Sequence, residues 1–304
     1  MLSKRYFLRS FLFTAIILLA ASCCNHQTPA GKETNEFSFV FMTDIHVQPE
    51  KNAEAGFRQA IQKVNELKPD FVITGGDQVM DVLAVSFGRA DTLYNIYTEM
   101  VKGLNMPVYN TLGNHEVFGW YERSGIRPTH REYGKRMFEK RLGPRYQRID
   151  RNGWIFFILD SVEKDGKGGY EGRIDEEQML WLQEQLADIA HSTPIAISTH
   201  IPLLTTGAMI YYGTTAAAPS SWVVTNAKEV TGLFKDHNLR LVLQGHLHIY
   251  ETIHVLGIQY ITGGAVSGSW WEGPHHGTEE GFLLVKVAGD SFTWEYVDYG
   301  WEAN

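Results

Sequence analysis

Seven side chains able to hold a metal ion fall in five short clusters, each at the end of an apolar run. They are Asp44 and His46 in Asp44-Ile45-His46, Asp77 after Gly76, Asn114 in Gly113-Asn114-His115-Glu116, His200, and His246 and His248 in Gly245-His246-Leu247-His248. Carboxylate and amide oxygens with imidazole nitrogens suit a hard or borderline divalent ion, and no thiolate is among them. One carboxylate can bridge two ions, and the neutral amide of Asn114 adds a ligand without adding charge. The set is large enough for two ions that share a bridge, with His115 to spare. If the strands continue through them, Asp-x-His and His-x-His put both side chains of each pair on one face. Gly76 and Gly113 would let the backbone turn sharply before Asp77 and Asn114.

Elements that end at one place must deliver these clusters. Short apolar runs at Phe39–Met42, Phe71–Thr74, Pro107–Leu112, Pro194–Thr199 and Leu239–Leu243 read as strands, and a ligand follows each one. Between the first two, Phe57, Ala60, Ile61, Val64 and Leu67 recur at helical spacing and Pro69 closes the helix. A second helix is expected across Ala90–Gly103, and a helical insertion over 119–146 near the pocket mouth. Asp150-Arg151-Asn152-Gly153 divides a hairpin of Tyr146–Ile149 and Trp154–Leu159. Asp175 with Gln178 opens a helix in the manner of a capping box, and Met179, Leu182, Leu186 and Ile189 form its apolar face. Val255–Thr262, Phe282–Val287 and Ser291–Val297 read as closing strands. Strand, ligand-bearing loop and helix in alternation make an α/β pattern with ligands where parallel strands end.

The chain has 304 residues, 44% hydrophobic and 20% charged, an ordinary globular composition. One domain over 37–304 is expected, because clusters spread along the chain must converge. Ahead of it, Lys4, Arg5 and Arg9 precede the apolar run Phe11–Ala21, which is short for a membrane span. Residues 1–22 therefore read as a signal peptide. Ala20-Ala21-Ser22-Cys23 resembles the lipobox of bacterial lipoproteins, with Ala20 where Leu is preferred. That resemblance implies lipidation of Cys23, a polar tether over 23–36, and an exported protein, periplasmic or outer-membrane-associated and membrane-held through its N-terminal lipid. Cys23 and Cys24 are the only cysteines, so the domain must rely on its core rather than a disulfide. The net charge is −8 and residues 1–22 hold three basic residues and no acidic one, so the remainder is more acidic still. A stable nucleic-acid complex is not expected of such a surface, whereas a small phosphorylated substrate could be drawn in by metal charge.

Each cluster alone is weak: a lone histidine at a strand end is more often structural, and Gly-Asn-His can be a turn. Their order is informative. Asp-x-His, Gly-Asp, Gly-Asn-His-Glu, His and Gly-His-x-His resemble the calcineurin-like metallophosphoesterase superfamily over roughly residues 37–298. The resemblance implies a four-layer αββα sandwich of mixed β-sheets flanked by helices. It implies two divalent metal ions (Mn, Fe, Zn or Co), the first held by Asp44, His46, Asp77 and His248, the second by Asp77, Asn114, His200 and His246. Asp77 would bridge, and His115 would face the substrate. The purple acid phosphatases of this superfamily carry an iron-ligating Tyr three residues after the bridging Asp. Met80 stands there in this chain, which argues against an Fe(III)-tyrosinate site.

The expected reaction is hydrolysis of phosphate mono- or diesters by a hydroxide activated between the ions, with His115 as general acid. Trp270 and Trp271, in a glycine-rich loop, are candidates to stack on substrate and tilt the expectation toward a small-molecule phosphodiester or a nucleotide. Tyr211 and Tyr212 suit a lid. Glu116 would orient His115 or a loop, or sit as a solvated turn carboxylate. The alternative is a non-catalytic, metal-containing binding lipoprotein. A complete ligand set with an intact His115 argues against it, since holding a fold needs neither.

Overall fold

The computed structural model describes residues 35–303. The signal peptide, Cys23 and all but the end of the tether lie outside them. Among the described residues no helix is long and apolar enough to cross a membrane.

Strand β1 (Glu36–Met42) sets the architecture, because its alternate side chains enter two different cores. Phe37, Phe39 and Phe41 face one apolar cluster, and Val40 and Met42 face another. Chain order continues α1 (Ala53–Leu67), β2 (Phe71–Thr74), α2 (Phe87–Val101), β3 (Val108–Asn110), α3 (Arg136–Arg141), β4 (Gln147–Arg151) and β5 (Trp154–Ile158). A small hairpin β6 (Val162–Lys164) and β7 (Tyr170–Gly172) precedes α4 (Glu176–Ala187) and β8 (Pro194–Ser198). Then come α5 (Gly207–Tyr212), α6 (Ala227–Leu233), β9 (Asn238–Gln244), β10 (Tyr250–Val255), β11 (Ile258–Gly263), β12 (Gly281–Ala288) and β13 (Ser291–Asp298).

Two mixed sheets result, ordered β13-β12-β1-β2-β3 and β10-β11-β9-β8-β5-β4. Their inner faces share one core, in which Phe39 stacks on Phe71 at 5.1 Å and meets Phe156 of the opposite sheet edge-on at 5.3 Å. Helices α1 and α2 cover the first sheet through Phe57, Val64, Tyr94 and Tyr97. Helices α4 and α6 cover the second through Leu182, Leu186 and Val230. This is the expected four-layer arrangement. In both sheets the central strands are parallel, so their C-terminal ends open toward the same rim.

Several local expectations change. The segment read as one strand over Val255–Thr262 is instead the turn and second arm of a hairpin: Leu256 (φ 53°) and Gly257 (φ 80°) form a two-residue turn joining β10 to β11. Leucine at a left-handed position hides that turn from a sequence reading. Residues 119–146 are not a helical insertion. Only α3 and one short turn at Glu122–Ser124 are helical, and ion pairs hold the rest. Arg141 joins Glu132 and Asp91, Arg145 joins Asp160 and Asp175, and Lys135 joins Asp160 and Glu163. Asp175 does cap α4, accepting from the Gln178 N–H at 2.8 Å. The Gln178 side chain does not reciprocate; it bonds both the N–H and the carbonyl of Asp160, so the capping box is half formed.

Candidate metal centre

Five loops at the C-terminal ends of β1, β2, β3, β8 and β9 bring Asp44, His46, Asp77, Asn114, His200, His246 and His248 together. His248 Nε2 lies 3.3 Å from Asp44 Oδ1 and 3.0 Å from His46 Nε2. His200 Nε2 lies 3.2 Å from Asp77 Oδ2 and 3.1 Å from Asn114 Oδ1. Asp77 Oδ2 is also 3.8 Å from Nε2 of both His46 and His115, so this carboxylate stands between the two groups.

These residues fit a pair of divalent cations. His200 Nδ1 donates to the Gly75 carbonyl at 2.9 Å and His248 Nδ1 to the Gly268 carbonyl at 2.6 Å. Each Nε2 thus points inward, the arrangement of a ligating imidazole whose other nitrogen is anchored. His46 Nε2 and His248 Nε2 lie within hydrogen-bond distance of each other, at 3.0 Å, so both converge on one place.

The backbone aims these side chains by a different route from the one expected. Strands β1 and β9 stop at Met42 and Gln244, before the ligands, so strand alternation does not operate. Asp44, His46, Asp77, His246 and His248 all take left-handed φ, at 55°, 47°, 51°, 73° and 56°. Non-glycine residues held so cost of order 1–3 kcal/mol each, and such positions concentrate at functional sites. Gly76 does turn the backbone as expected (φ 97°), and the glycines also give room for close approach. Gly113 is extended (φ −104°), and a Cβ there would sit 2.2 Å from Asp77 Oδ1. A Cβ at Gly76 would meet His200 Nδ1 at 2.4 Å, and one at Gly245 would meet Thr43 Oγ1 at 2.1 Å.

Glu116 is fully buried rather than a solvated turn residue. Its Oε2 accepts from the N–H groups of Asp77 and Gly113, both at 2.9 Å, and its Oε1 from Val79 at 3.0 Å. One carboxylate therefore ties the Asp77 loop to the Asn114 loop. Met80, where a purple-type site would need Tyr, packs against the core under α1 and α2.

Burial and neighbouring charges pull the titratable groups of this cluster in opposite directions. Burial raises Asp44, but the charges of His248 and His200 outweigh it and hold the carboxyl at about 2. Asp77 is likewise raised by burial and carried well below its usual value by His115 and His200. Burial lowers His200 and His248, yet Asp77 lifts the first to about 9 and Asp44 lifts the second. Burial and neighbouring imidazoles drive His46 well down and His246 to about 3. Two imidazoles held toward their charged form thus face two carboxylates. Burial also pushes Glu116 up, with help from Asp77, to about 8.

A metal must displace those protons. Loading at pH 7 is expected to release one to two protons per chain, measurable by calorimetry in buffers of different ionisation enthalpy. Because His200 is raised, its proton is present below about pH 9 and must leave on binding. Affinity should thus rise with pH about tenfold per unit per proton and level off near pH 9. Loading without proton release would contradict this charge balance.

A cavity of about 420 Å³ opens over the cluster. Asp77, Asn114, His115, His246 and His248 form its floor. The two tryptophans expected to face substrate separate. Trp270 lies on the wall with its ring 4.4 Å from that of His248. Trp271 is a correction: it is buried in the core beside Gly56 and donates from Nε1 to the His46 carbonyl at 3.1 Å. Consecutive residues, both with positive φ, point to opposite sides of that loop. Tyr211, His275 and His276 also line the wall, while Tyr212 is exposed. Residues 119–146 contribute none of the cavity wall. The sequence reading missed Tyr170 of β7 and Trp222, whose only advance signal was an aromatic in a polar loop.

Residues 37–250 match the calcineurin-like phosphoesterase family, and the chain belongs to it. A probable cyclic nucleotide phosphodiesterase of Psychrobacter arcticus is 25% identical over 217 residues, covering 67% of this chain and 65% of the relative. A probable glycerophosphodiester phosphodiesterase of Arcobacter nitrofigilis is 26% identical over 152 residues, 47% of this chain and 46% of the relative. The chain thus spans less than two thirds of the length of either. Among solved structures, a dimetal phosphatase from Danio rerio shares the fold with a TM-score of 0.63 at 14% identity, covering 87% of this chain and 96% of that one.

Proposed function

We propose that this chain is a metal-dependent phosphoesterase that hydrolyses a small-molecule phosphodiester. The observation that carries the reading is the convergence of seven metal-competent side chains from five loops, with two imidazoles anchored so that their free nitrogens face inward. Asp44, His46, Asp77 and His248 would hold one ion, and Asp77, Asn114, His200 and His246 the other, with Asp77 between them. Bound there, divalent cations would act as Lewis acids on the phosphoryl oxygens and make water nucleophilic at neutral pH.

The chain's own groups supply orientation and a proton. His115 stands on the cavity wall, its backbone N–H bonded to Asp77 Oδ1 at 2.9 Å and its ring packed edge-on against His46. From there it can protonate the leaving oxygen as the bond from phosphorus to that oxygen breaks and the bond to water oxygen forms. A diester yields an alcohol and a phosphomonoester. The two relatives, both named as probable phosphodiesterases, support a diester over a monoester.

The test uses metal-stripped chain reloaded with Mn²⁺, Zn²⁺, Fe²⁺ or Co²⁺ and assayed on p-nitrophenyl phosphate and bis-p-nitrophenyl phosphate. Metal-dependent release, faster on the diester, is expected. Two ions bound per chain with no release from either ester would turn the reading toward a binding lipoprotein. The exported, lipid-held location belongs to the same reading and rests on the sequence of residues 1–36. Cys23→Ser should move the protein from the membrane to the soluble fraction of an expressing bacterium, and an unchanged distribution would dismiss the anchor.

A further inference from the structure

Beyond the cluster, the cavity wall is a run of rings set edge to face. Trp270 meets His275 at 5.7 Å (86°), His275 meets His276 at 4.4 Å (89°), His276 meets Tyr211 at 4.7 Å (77°), and Tyr211 meets Trp222 at 5.5 Å (80°). Tyr170 completes the wall on the His246 side. Among the described residues, no lysine or arginine lines this cavity, and Asp77 is its only carboxylate. Among the described residues, the Tyr211 hydroxyl, buried on that wall, has no hydrogen-bond partner. A buried hydroxyl left unpaired is costly, so a ligand atom that pairs with it is favoured.

The wall is also held in place before any ligand arrives. Glu251 of β10 accepts from the Thr206 N–H at 2.8 Å and from its hydroxyl, fixing the start of α5, which carries Tyr211. Gln244 at the end of β9 accepts from the Leu203 N–H at 3.1 Å and donates to the Leu204 carbonyl at 2.5 Å. On the other flank of Trp222, the Gly172 N–H donates to Ser220 and the Thr225 N–H to the Gly172 carbonyl, both at 2.7 Å, tying that turn to β7.

The geometry points to a specificity subsite: Trp222, Tyr211, Trp270 and His276 receive the non-leaving substituent of the phosphodiester, and that substituent is a neutral planar heterocycle bearing a hydrogen-bonding edge. This rests on the phosphoesterase reading above. Flat rings offer stacking surface to a flat partner, and the unpaired Tyr211 hydroxyl favours a heteroatom over a plain hydrocarbon. An alkyl substituent would leave both unused, and a polyol, though able to pair with the hydroxyl, would offer the rings no flat partner. A second phosphate on the substituent would meet no cationic side chain on this wall, and the chain's net charge of −8 would oppose it.

Three p-nitrophenyl diesters with the same leaving group separate these features: methyl p-nitrophenyl phosphate, thymidine 5′-(p-nitrophenyl phosphate), and the latter carrying a 3′-phosphate. With the metal-loaded full chain, kcat/KM is expected to favour the thymidine ester over the methyl ester by about tenfold or more, the lower part of the range for stacking one base. The added 3′-phosphate should remove much of that gain. Trp222→Ala should bring the ratio of kcat/KM for the thymidine ester to that for the methyl ester down to near one. Tyr211→Phe, which keeps the ring and so tests a chain that should fold normally, should lower the same ratio by a few-fold. Equal kcat/KM for the methyl and thymidine esters, a preference that survives Trp222→Ala, or a gain from the 3′-phosphate would overturn the subsite. Failure to hydrolyse any of the three would instead count against the phosphoesterase reading itself.

Discussion

Asp77→Asn is expected to cut metal-supported phosphodiester hydrolysis by about 10³-fold or more while the chain still folds. The substitution is nearly isosteric, and the amide oxygen can keep the bond that Oδ1 accepts from the His115 N–H. What it removes is a charge placed within 3.2 Å of His200 Nε2 and 3.8 Å of His46 Nε2. A neutral amide cannot balance two cations at once, so one of the two proposed sites should lose most of its affinity. Several kcal/mol of transition-state charge stabilisation goes with it, and each 1.36 kcal/mol is about a factor of ten in rate. His200, raised chiefly by Asp77 against its burial, should also titrate lower in the variant. Metal stoichiometry by elemental analysis and kcat/KM on bis-p-nitrophenyl phosphate are the measurements. A variant that keeps two tightly bound ions and more than a tenth of the activity would remove Asp77 from the bridging role.

Glu116→Ala should have the largest effect on stability among substitutions near the centre. Truncation leaves the N–H groups of Asp77, Val79 and Gly113 without their acceptor in a buried place. An unpaired buried donor costs about 1–3 kcal/mol, so a loss on the order of 3–5 kcal/mol is expected after some relaxation. Glu116→Gln keeps one accepting oxygen and should lose less, about 1–2 kcal/mol by the same reckoning. Urea unfolding of the metal-free chain isolates this effect from metal binding. If Glu116→Ala unfolds within about 1 kcal/mol of the parent, the carboxylate is not the tie between the two loops. Where the chain folds, metal affinity should fall too, because Asp77 and Asn114 sit on the loops that Glu116 joins.

The two variants draw on different parts of what was legible beforehand. Asp77 could be named from Gly76-Asp77 following an apolar run, as could the other ligands, because a strand end followed by a polar, metal-competent residue is a local pattern. The tie made by Glu116 was open, since a carboxylate in Gly-Asn-His-Glu reads equally well as solvated until the fold buries it. The glycines show the same limit. Their presence beside Asp77, Asn114 and His246 was visible, but the reason at Gly113 is a neighbour from another strand, 2.2 Å from where a Cβ would be.

Periodicity determined the alternation of strands and helices and the strands that end at the site, while the order of the motifs, through the family they resemble, implied the four layers and the metal chemistry proposed for these residues. Those depend on side-chain type and on alternation or helical repeat within a few residues, which the sequence records directly. Tertiary structure alone decided which way consecutive residues point where the backbone turns left-handed. It sent Trp271 into the core and Trp270 to the wall, and it placed Tyr170 and Trp222 beside residues far away in the chain. It also reduced the expected helical insertion at 119–146 to a segment held by ion pairs with Asp91, Asp160 and Asp175. Contacts between distant loops are set by how two sheets pack, and no local pattern of apolar and polar residues encodes that distance.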